Sequence, residues 1–324
     1  MIEFEVEEAR YPLRTPFTIA RGSKTEAATV VCRVRDADGF VGWGEATPYP
    51  RYGESVEAVA DALRQHKPNG AEDAWRSLPP GAARNALDIA LWDMRAKRTG
   101  NRAHLAICAD PPRPLLTAYT ISLGTVEEMA AAARAAAGHR LLKVKLGGGD
   151  GQDGARMRAV GSTGFDARFI LDANEGWTAK ELPELMREAS RMGASMIEQP
   201  FPVGQDAMLA EIPHPVPICA DESAHTAADL DALRDRYDIV NIKLDKTGGL
   251  TEALHMRNRA RELGFGVMVG CMVASSLAMA PAVLLAQEAD YADLDGPLLL
   301  SKDREPALRY SGSVVSPPEP ELWG

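Results

Sequence analysis

From residue 115 onward the chain repeats one pattern. Short β-rich runs occur at about 115–122, 141–146, 168–173, 195–199, 216–221, 239–244, 266–271 and 291–295. Their starts lie roughly 22 to 27 residues apart, and the stretches between them carry helical periodicity, as in Val126 to Ala137, Lys180 to Met192, Ala227 to Arg236 and Leu250 to Leu263. Alternating strands and helices predict a parallel sheet with crossover connections, because parallel neighbours cannot be joined by a tight turn. Eight such strands suit a closed barrel better than an open sheet. The stretch covers about 180 residues, against the roughly 250 typical of such barrels, so its loops are expected to be tight.

The first third reads differently. Glu3 to Val6 alternates, Ala28 to Val34 is β-rich, and Asp38-Gly39 is a turn signal before Phe40 to Gly44. These predict a small antiparallel sheet. Pro16 to Ser23 reads as a loop with Arg21 at its tip. Ser55 is a suitable N-cap for a helix over Val56, Val59, Ala60 and Leu63. Ala83 to Thr99 is the clearest helix, with an apolar stripe at Ala86, Leu87, Ala90, Leu91 and Met94 and a stop at Gly100. The proline-rich Asp110 to Pro114 marks a boundary, and the proline-containing tail after Gly296 is expected to run back over the first domain.

Composition excludes several classes. A net charge of −10 argues against a nucleic-acid surface. No apolar run is long enough to span a bilayer. The acidic start, Met1 to Glu5, lacks a signal-peptide pattern, so a cytoplasmic location is expected. Cys32, Cys108, Cys219 and Cys271 are too scattered for a zinc site or a disulfide framework and are expected to be reduced.

In a β/α barrel, chemistry gathers at the C-terminal ends of the strands. Here those ends are charged. Lys143 and Lys145 lie two apart in Leu141 to Leu146, so both point to one face while Leu142, Val144 and Leu146 point to the other. An edge strand with lysines facing water is the bland alternative. Asp172, Glu198 and Asp221 end the next three strands, Lys243 lies on the sixth, and Asp293-Leu294-Asp295 ends the eighth. Singly, each carboxylate reads equally as a helix cap, and Asp245 and Lys246 as a solvated pair. Together, three carboxylates converging on one rim repel unless neutralised, and Mg²⁺ with hard oxygen ligands is the natural counter-charge. Lys145 and Lys243 then flank the metal from opposite sides. With a carboxylate substrate between them, one lysine removes an α-proton and the other returns it on the opposite face. The base must be neutral, a state that the metal and Lys143 favour, and Lys143 acts by charge.

At this point the chain resembles the enolase superfamily, in its muconate-lactonizing subgroup. Lys143-Val144-Lys145 matches the subgroup's K-x-K; Asp172, Glu198 and Asp221 match the three Mg²⁺ ligands; Lys243 in Asn241 to Leu244 matches the opposing lysine. The resemblance implies an α/β fold: a modified TIM barrel, (β/α)7β, over 113–296, with an α+β capping domain over 1–112 that the tail 297–324 completes. Asp293 and Asp295 look like the D-x-D of the dipeptide epimerases, where two carboxylates hold a substrate ammonium. This implies inversion of the C-terminal residue of a dipeptide, L-Ala-D/L-Glu being the best-known type, through a metal-stabilised enediolate. Such a substrate fits a role in recycling cell-wall peptides. Arg21, Thr120 and Met272 match substrate-contacting positions, Arg21 facing a side-chain carboxylate, while Ala274 stands where many relatives are acidic. A homo-oligomer is compatible with such barrels.

Other readings remain open. N-acylamino acid racemase, muconate cycloisomerase and o-succinylbenzoate synthase belong to the same subgroup, but a free ammonium is what Asp293 and Asp295 would recognise. A non-catalytic metal-binding barrel is the alternative of another class. Gly147-Gly148-Gly149 raises a phosphate site, but no G-K-[ST] follows, and a simple loop is expected.

Overall fold

The computed structural model describes residues 2–66, 77–164 and 166–324. β1 (Glu3–Ile19), β2 (Gly22–Arg35) and β3 (Val41–Ala46) form an antiparallel sheet in that order. The stretch 16–23 is not a loop. After a register shift between Pro12 and Phe17, residues Phe17, Thr18 and Ile19 pair with Lys24, Ser23 and Gly22. This aromatic and β-branched run favours extended backbone, so only Ala20 and Arg21 are left to turn.

α1 (Val56–Gln65) begins at Ser55, whose hydroxyl accepts from the Ala58 N–H at 3.1 Å. α2 (Ala82–Thr99) stops at Gly100, in the left-handed conformation. α2 lies directly on β3, where a Cβ at Gly42 or Gly44 would come within 2.0 Å of the Ala90 or Ala86 carbonyl. Glycine is required there because the helix backbone occupies the side-chain space. α3 (His104–Ile107) follows.

The expected strand over 115–122 is two strands. β4 (Leu115–Leu116) pairs with tail residues Val314 and Val315, whereas β5 (Tyr119–Ile121) opens the barrel. Thr117 donates its N–H to the Ser313 carbonyl and Ala118 to that of Ala292, so the chain changes sheets between them.

The barrel continues through α4 (Val126–Ala135), β6 (Leu141–Lys145), α5 (Asp153–Gly161), β7 (Arg168–Asp172), α6 (Leu182–Met192), β8 (Met196–Glu198), β9 (Ile218–Ala220) and β10 (Ile239–Lys243). α7 (Leu244–Thr247), α8 (Leu250–Glu262), β11 (Gly266–Gly270), α9 (Ser276–Leu285), β12 (Tyr291–Asp293) and α10 (Gly296–Leu299) complete it. Neighbouring strands are parallel from β5 to β12, and a bridge between Thr117 and Ala292 closes the ring. The fold is therefore an eight-stranded α/β barrel with a separate antiparallel sheet. The helix expected over 227–236 is instead a 3₁₀ turn at Ala227–Leu233, and another, Ala207–Glu211, joins β8 to β9. These are the short crossovers, in which the chain has little length for α-helical turns.

Ala118, Leu141, Ile170, Met196, Cys219, Ile239 and Met268 form one buried cluster, drawn from successive barrel strands. Alternate residues on those strands, such as Leu142, Val144, Leu171 and Ile197, belong to the larger core shared with the helices. Truncating one of them to alanine would cost about 2–5 kcal/mol.

In the tail, β13 (Tyr310–Ser311) and β14 (Val314–Val315) form a hairpin on β4. The Ser301 N–H donates to Pro12, the Trp323 indole to Ile89 and the Gly324 N–H to Asp93, each in the first third of the chain. Among the described residues no helix is long and apolar enough to cross a membrane, and all four cysteines are free. In the triglycine stretch the Gly147 N–H is donated to Asp153 at 2.7 Å.

Candidate active site

Strand alternation places the charges. On β6, Leu141 packs with the small inner cluster, while Leu142, Val144 and Leu146 join the larger core. Lys143 and Lys145 therefore share the inward face of Leu141. β6 lies between β5 and β7 and both lysines are buried, so the edge-strand reading falls. Lys145, Asp172 and Glu198 stand side by side in register on β6, β7 and β8. Asp221 directly follows β9 and Lys243 ends β10.

The carboxylates are drawn to lysines. Lys143 Nζ lies 2.6 Å from Glu198, 2.8 Å from Asp293 and 3.1 Å from Asp172. Lys145 Nζ lies 2.6 Å from Asp172 and Lys243 Nζ 2.6 Å from Asp221. Among the described residues no three His, Cys, Asp or Glu are gathered closely enough to hold a metal ion as they stand. Asp172, Glu198 and Asp221 are each in ionic contact with a lysine, because buried ammoniums need counter-charges as much as buried carboxylates do. Asp172 and Glu198 share Lys143, and Asp221 pairs with Lys243 and Lys246.

The charge balance follows. Burial disfavours the Lys143 ammonium, but Asp293, Glu198 and Asp172 outweigh it and hold its pKa well above the ordinary value. Burial likewise opposes the Asp172 and Asp221 charges, yet their lysines hold both below the usual carboxylate range. Glu198 is pushed up to about 8, by burial first and the Asp172 charge second. At Lys243 two effects oppose each other. Burial disfavours its ammonium, but Asp221 prevails and raises the pKa.

Asp293 ends β12, whereas Asp295 lies beyond the strand as the N-cap of α10, with Leu294 between them in the outer core. Asp295 accepts the Thr120 N–H at 2.7 Å and is pushed up to about 7 by burial and then by Asp293. Asp293 Oδ1 is buried without a hydrogen-bond partner. The pair is short of positive charge. Thr120 thus touches Asp295 through its backbone.

A cavity of about 450 Å³ opens at the mouth. Lys145, Lys243, Asp221 and Met272 line it from the barrel; Phe17, Arg21 and Lys24 line it from the first hairpin. Asp293, Asp295 and Thr120 are not part of that lining. Arg21 is engaged with protein groups: Nη2 lies 2.6 Å from Glu222 and Nη1 3.1 Å from Glu175. Ala274 is buried and carries no charge to the site.

Several participants were not anticipated. Lys246 is fully buried and lies 2.6 Å from Asp221 Oδ1, while Asp245 turns the other way and accepts from Thr47 N–H and Asn85. The solvated-pair reading fails because the chain leaves β10 into α7 at Leu244, which sends adjacent residues to opposite surroundings. Asn241 donates to Glu198 Oε1 at 2.7 Å. Its spacing of two from Lys243 on one strand was the available signal. Glu222 and Glu175, the Arg21 partners, had none.

Residues 1–104 match the mandelate racemase / muconate lactonizing enzyme N-terminal domain and residues 125–320 the enolase C-terminal domain-like family. The chain belongs to the enolase superfamily. Within it, it groups with the dipeptide epimerases. It is 46% identical to the L-Ala-D/L-Glu epimerase of Escherichia coli K12 over 95% of this chain and 97% of that one. It is 43% identical to an N-acetyl-D-glutamate racemase of a Pseudoalteromonas species, covering 88% and 92%. A crystal structure from Agrobacterium tumefaciens, of an enolase family member with homology to dipeptide epimerases, bound to sodium and L-Ala-L-Glu, superposes with a TM-score of 0.96 at 51% identity over the whole of both chains.

Proposed function

We infer that this chain is a Mg²⁺-dependent dipeptide epimerase of the L-Ala-D/L-Glu type, inverting the α-carbon of the C-terminal residue by two-base proton transfer. The observation that carries this reading is the placement of two buried lysines on one cavity. Lys145 and Lys243 end strands four positions apart in an eight-stranded ring, so they face each other across it. One lysine takes the α-proton, the electron pair spreads into the substrate carboxylate as an enediolate, and the other lysine protonates the opposite face. Reversal exchanges their roles.

Asp172, Glu198 and Asp221 would hold Mg²⁺. They are hard oxygen donors on successive strands, and Glu198 Oε2, although in ionic contact with Lys143, is buried with no hydrogen bond aligned on it. Bound there, the ion supplies positive charge beside the substrate carboxylate and competes with the lysines for these three carboxylates. Lys143 contributes fixed positive charge. Asp293 and Asp295 hold the substrate ammonium, which supplies the positive charge that their site lacks. Met272 contacts substrate from the cavity wall, and Thr120 holds Asp295. The same reading divides the chain into a capping domain (1–112 with 297–324) and a barrel (113–296).

The racemase relative supports a second reading, in which the amino group is acylated. Incubation in D₂O with Mg²⁺, dipeptides and N-acetylglutamate, read by mass spectrometry, separates the two. Deuterium entering L-Ala-L-Glu, and lost with EDTA, is the expected result. Deuterium entering N-acetylglutamate alone would replace the epimerase reading by the racemase one.

A further inference from the structure

Glu198 is held from two sides. Its Oε2 lies 2.6 Å from Lys143 Nζ, and its Oε1 accepts from the Asn241 side-chain amide at 2.7 Å. Lys143 and Asn241 each stand two residues beyond a member of the inner cluster, Leu141 on β6 and Ile239 on β10. Strand alternation therefore projects both into the barrel, one level above that cluster. Between β8 and β10, β9 sends Ala220 to the outer core, and the amide reaches over that strand to Glu198.

Asn241 is fully buried, and its Oδ1 has no hydrogen-bond partner. A buried amide with an unsatisfied oxygen carries a cost that its donor has to offset. The backbone of Asn241 is pinned as well. Lys246 Nζ donates to its carbonyl at 2.9 Å and to Asp221 Oδ1 at 2.6 Å.

The three carboxylates share one arrangement. Asp172 Oδ1 accepts from the Asn174 N–H at 3.0 Å, Glu198 Oε1 from Asn241, and Asp221 Oδ1 from Lys246. The other oxygens, Asp172 Oδ2, Glu198 Oε2 and Asp221 Oδ2, lie against Lys145, Lys143 and Lys243. One oxygen of each is fixed, and the other contacts an ammonium that a cation could replace. Among the fixing groups Asn241 is the uncharged side chain, so replacing it alters orientation without altering the charge of the site.

We propose that Asn241 is a positioning residue of the metal centre. By fixing Glu198 through Oε1 it presents Oε2 to Mg²⁺. The proposal rests on the reading above in which Asp172, Glu198 and Asp221 hold that ion.

The test is the Kd for Mg²⁺, measured by titration calorimetry on the protein without substrate. Asn241→Leu, of nearly equal size, should raise it by roughly ten- to a hundredfold. Asn241→Ser, smaller and too short to reach Glu198, carries the same expectation should the leucine variant fail to fold. At saturating Mg²⁺ either variant should recover kcat for L-Ala-L-Glu, because Asn241 does not touch the substrate. A merely structural role would instead lower Tm and the bound stoichiometry and leave Kd where it was. An unchanged Kd in the folded variants, or a loss of kcat that saturating Mg²⁺ does not restore, would overturn the proposal. A parent chain that binds no Mg²⁺ would sink the metal reading and this proposal with it. A parent that binds Mg²⁺ no more tightly than its variants would sink this proposal alone.

Discussion

The barrel mouth and the capping hairpin line one cavity by opposite means. At the mouth, the charged groups lie on parallel strands or just beyond their C-terminal ends and are buried, Lys143 being held by three carboxylates. On the hairpin, Arg21 and Lys24 ride a two-stranded tip and stay partly open to solvent, and Arg21 reaches the barrel through its guanidinium. A proton transfer tolerates little displacement, so its groups belong on ladders paired on both sides. A pocket for a variable side chain tolerates more, and a projecting tip can change without disturbing the ring.

The largest effects should come from the mouth. Lys145→Ala and Lys243→Ala should each cut epimerisation by roughly a hundred- to ten-thousandfold, measured by the rate at which one diastereomer becomes the other. Full activity in both would break the contrast. Asp293→Asn comes next. It should weaken dipeptide binding by roughly ten- to a hundredfold and an N-acylated analogue much less, read as the two KM values. Equal losses would remove the ammonium role.

The smallest effect lies at the junction of the two regions. Asp245 accepts from Thr47 and Asn85 of the capping part and is pushed up to about 7 by burial. The folded chain binds that proton more tightly than the unfolded chain does. Its stabilisation is therefore complete below about pH 4 and lost as the pH rises to about 7. Asp245→Asn removes this dependence, so its Tm relative to the parent should be a few degrees higher at pH 8 than at pH 4. A constant difference would mean that Asp245 stays ionised in the fold.

Legibility in the sequence followed the same division. The inward facing of Lys143 and Lys145 could be read from two-residue alternation, and the order of Asp172, Glu198, Asp221 and Lys243 from the repeat of strands. Asn241 obeyed the same rule and went unread. Lys246 escaped because β10 turns into α7 one residue after Lys243, where alternation stops applying. The strand expected over 115–122 splits because its first half pairs with residues nearly two hundred positions away, which no local pattern reveals. The partners of Arg21 were hidden for the same reason: Glu175 and Glu222 come from loops after β7 and β9, and only the closed ring brings them to the hairpin.

The central claim is that Lys145 and Lys243 serve opposite faces of one α-carbon. It is tested most directly by following α-proton exchange in D₂O by NMR for L-Ala-L-Glu and L-Ala-D-Glu with each alanine variant. Each variant should exchange one diastereomer only, and the two variants should choose opposite ones. Exchange of both diastereomers by either variant at the parent rate would contradict it.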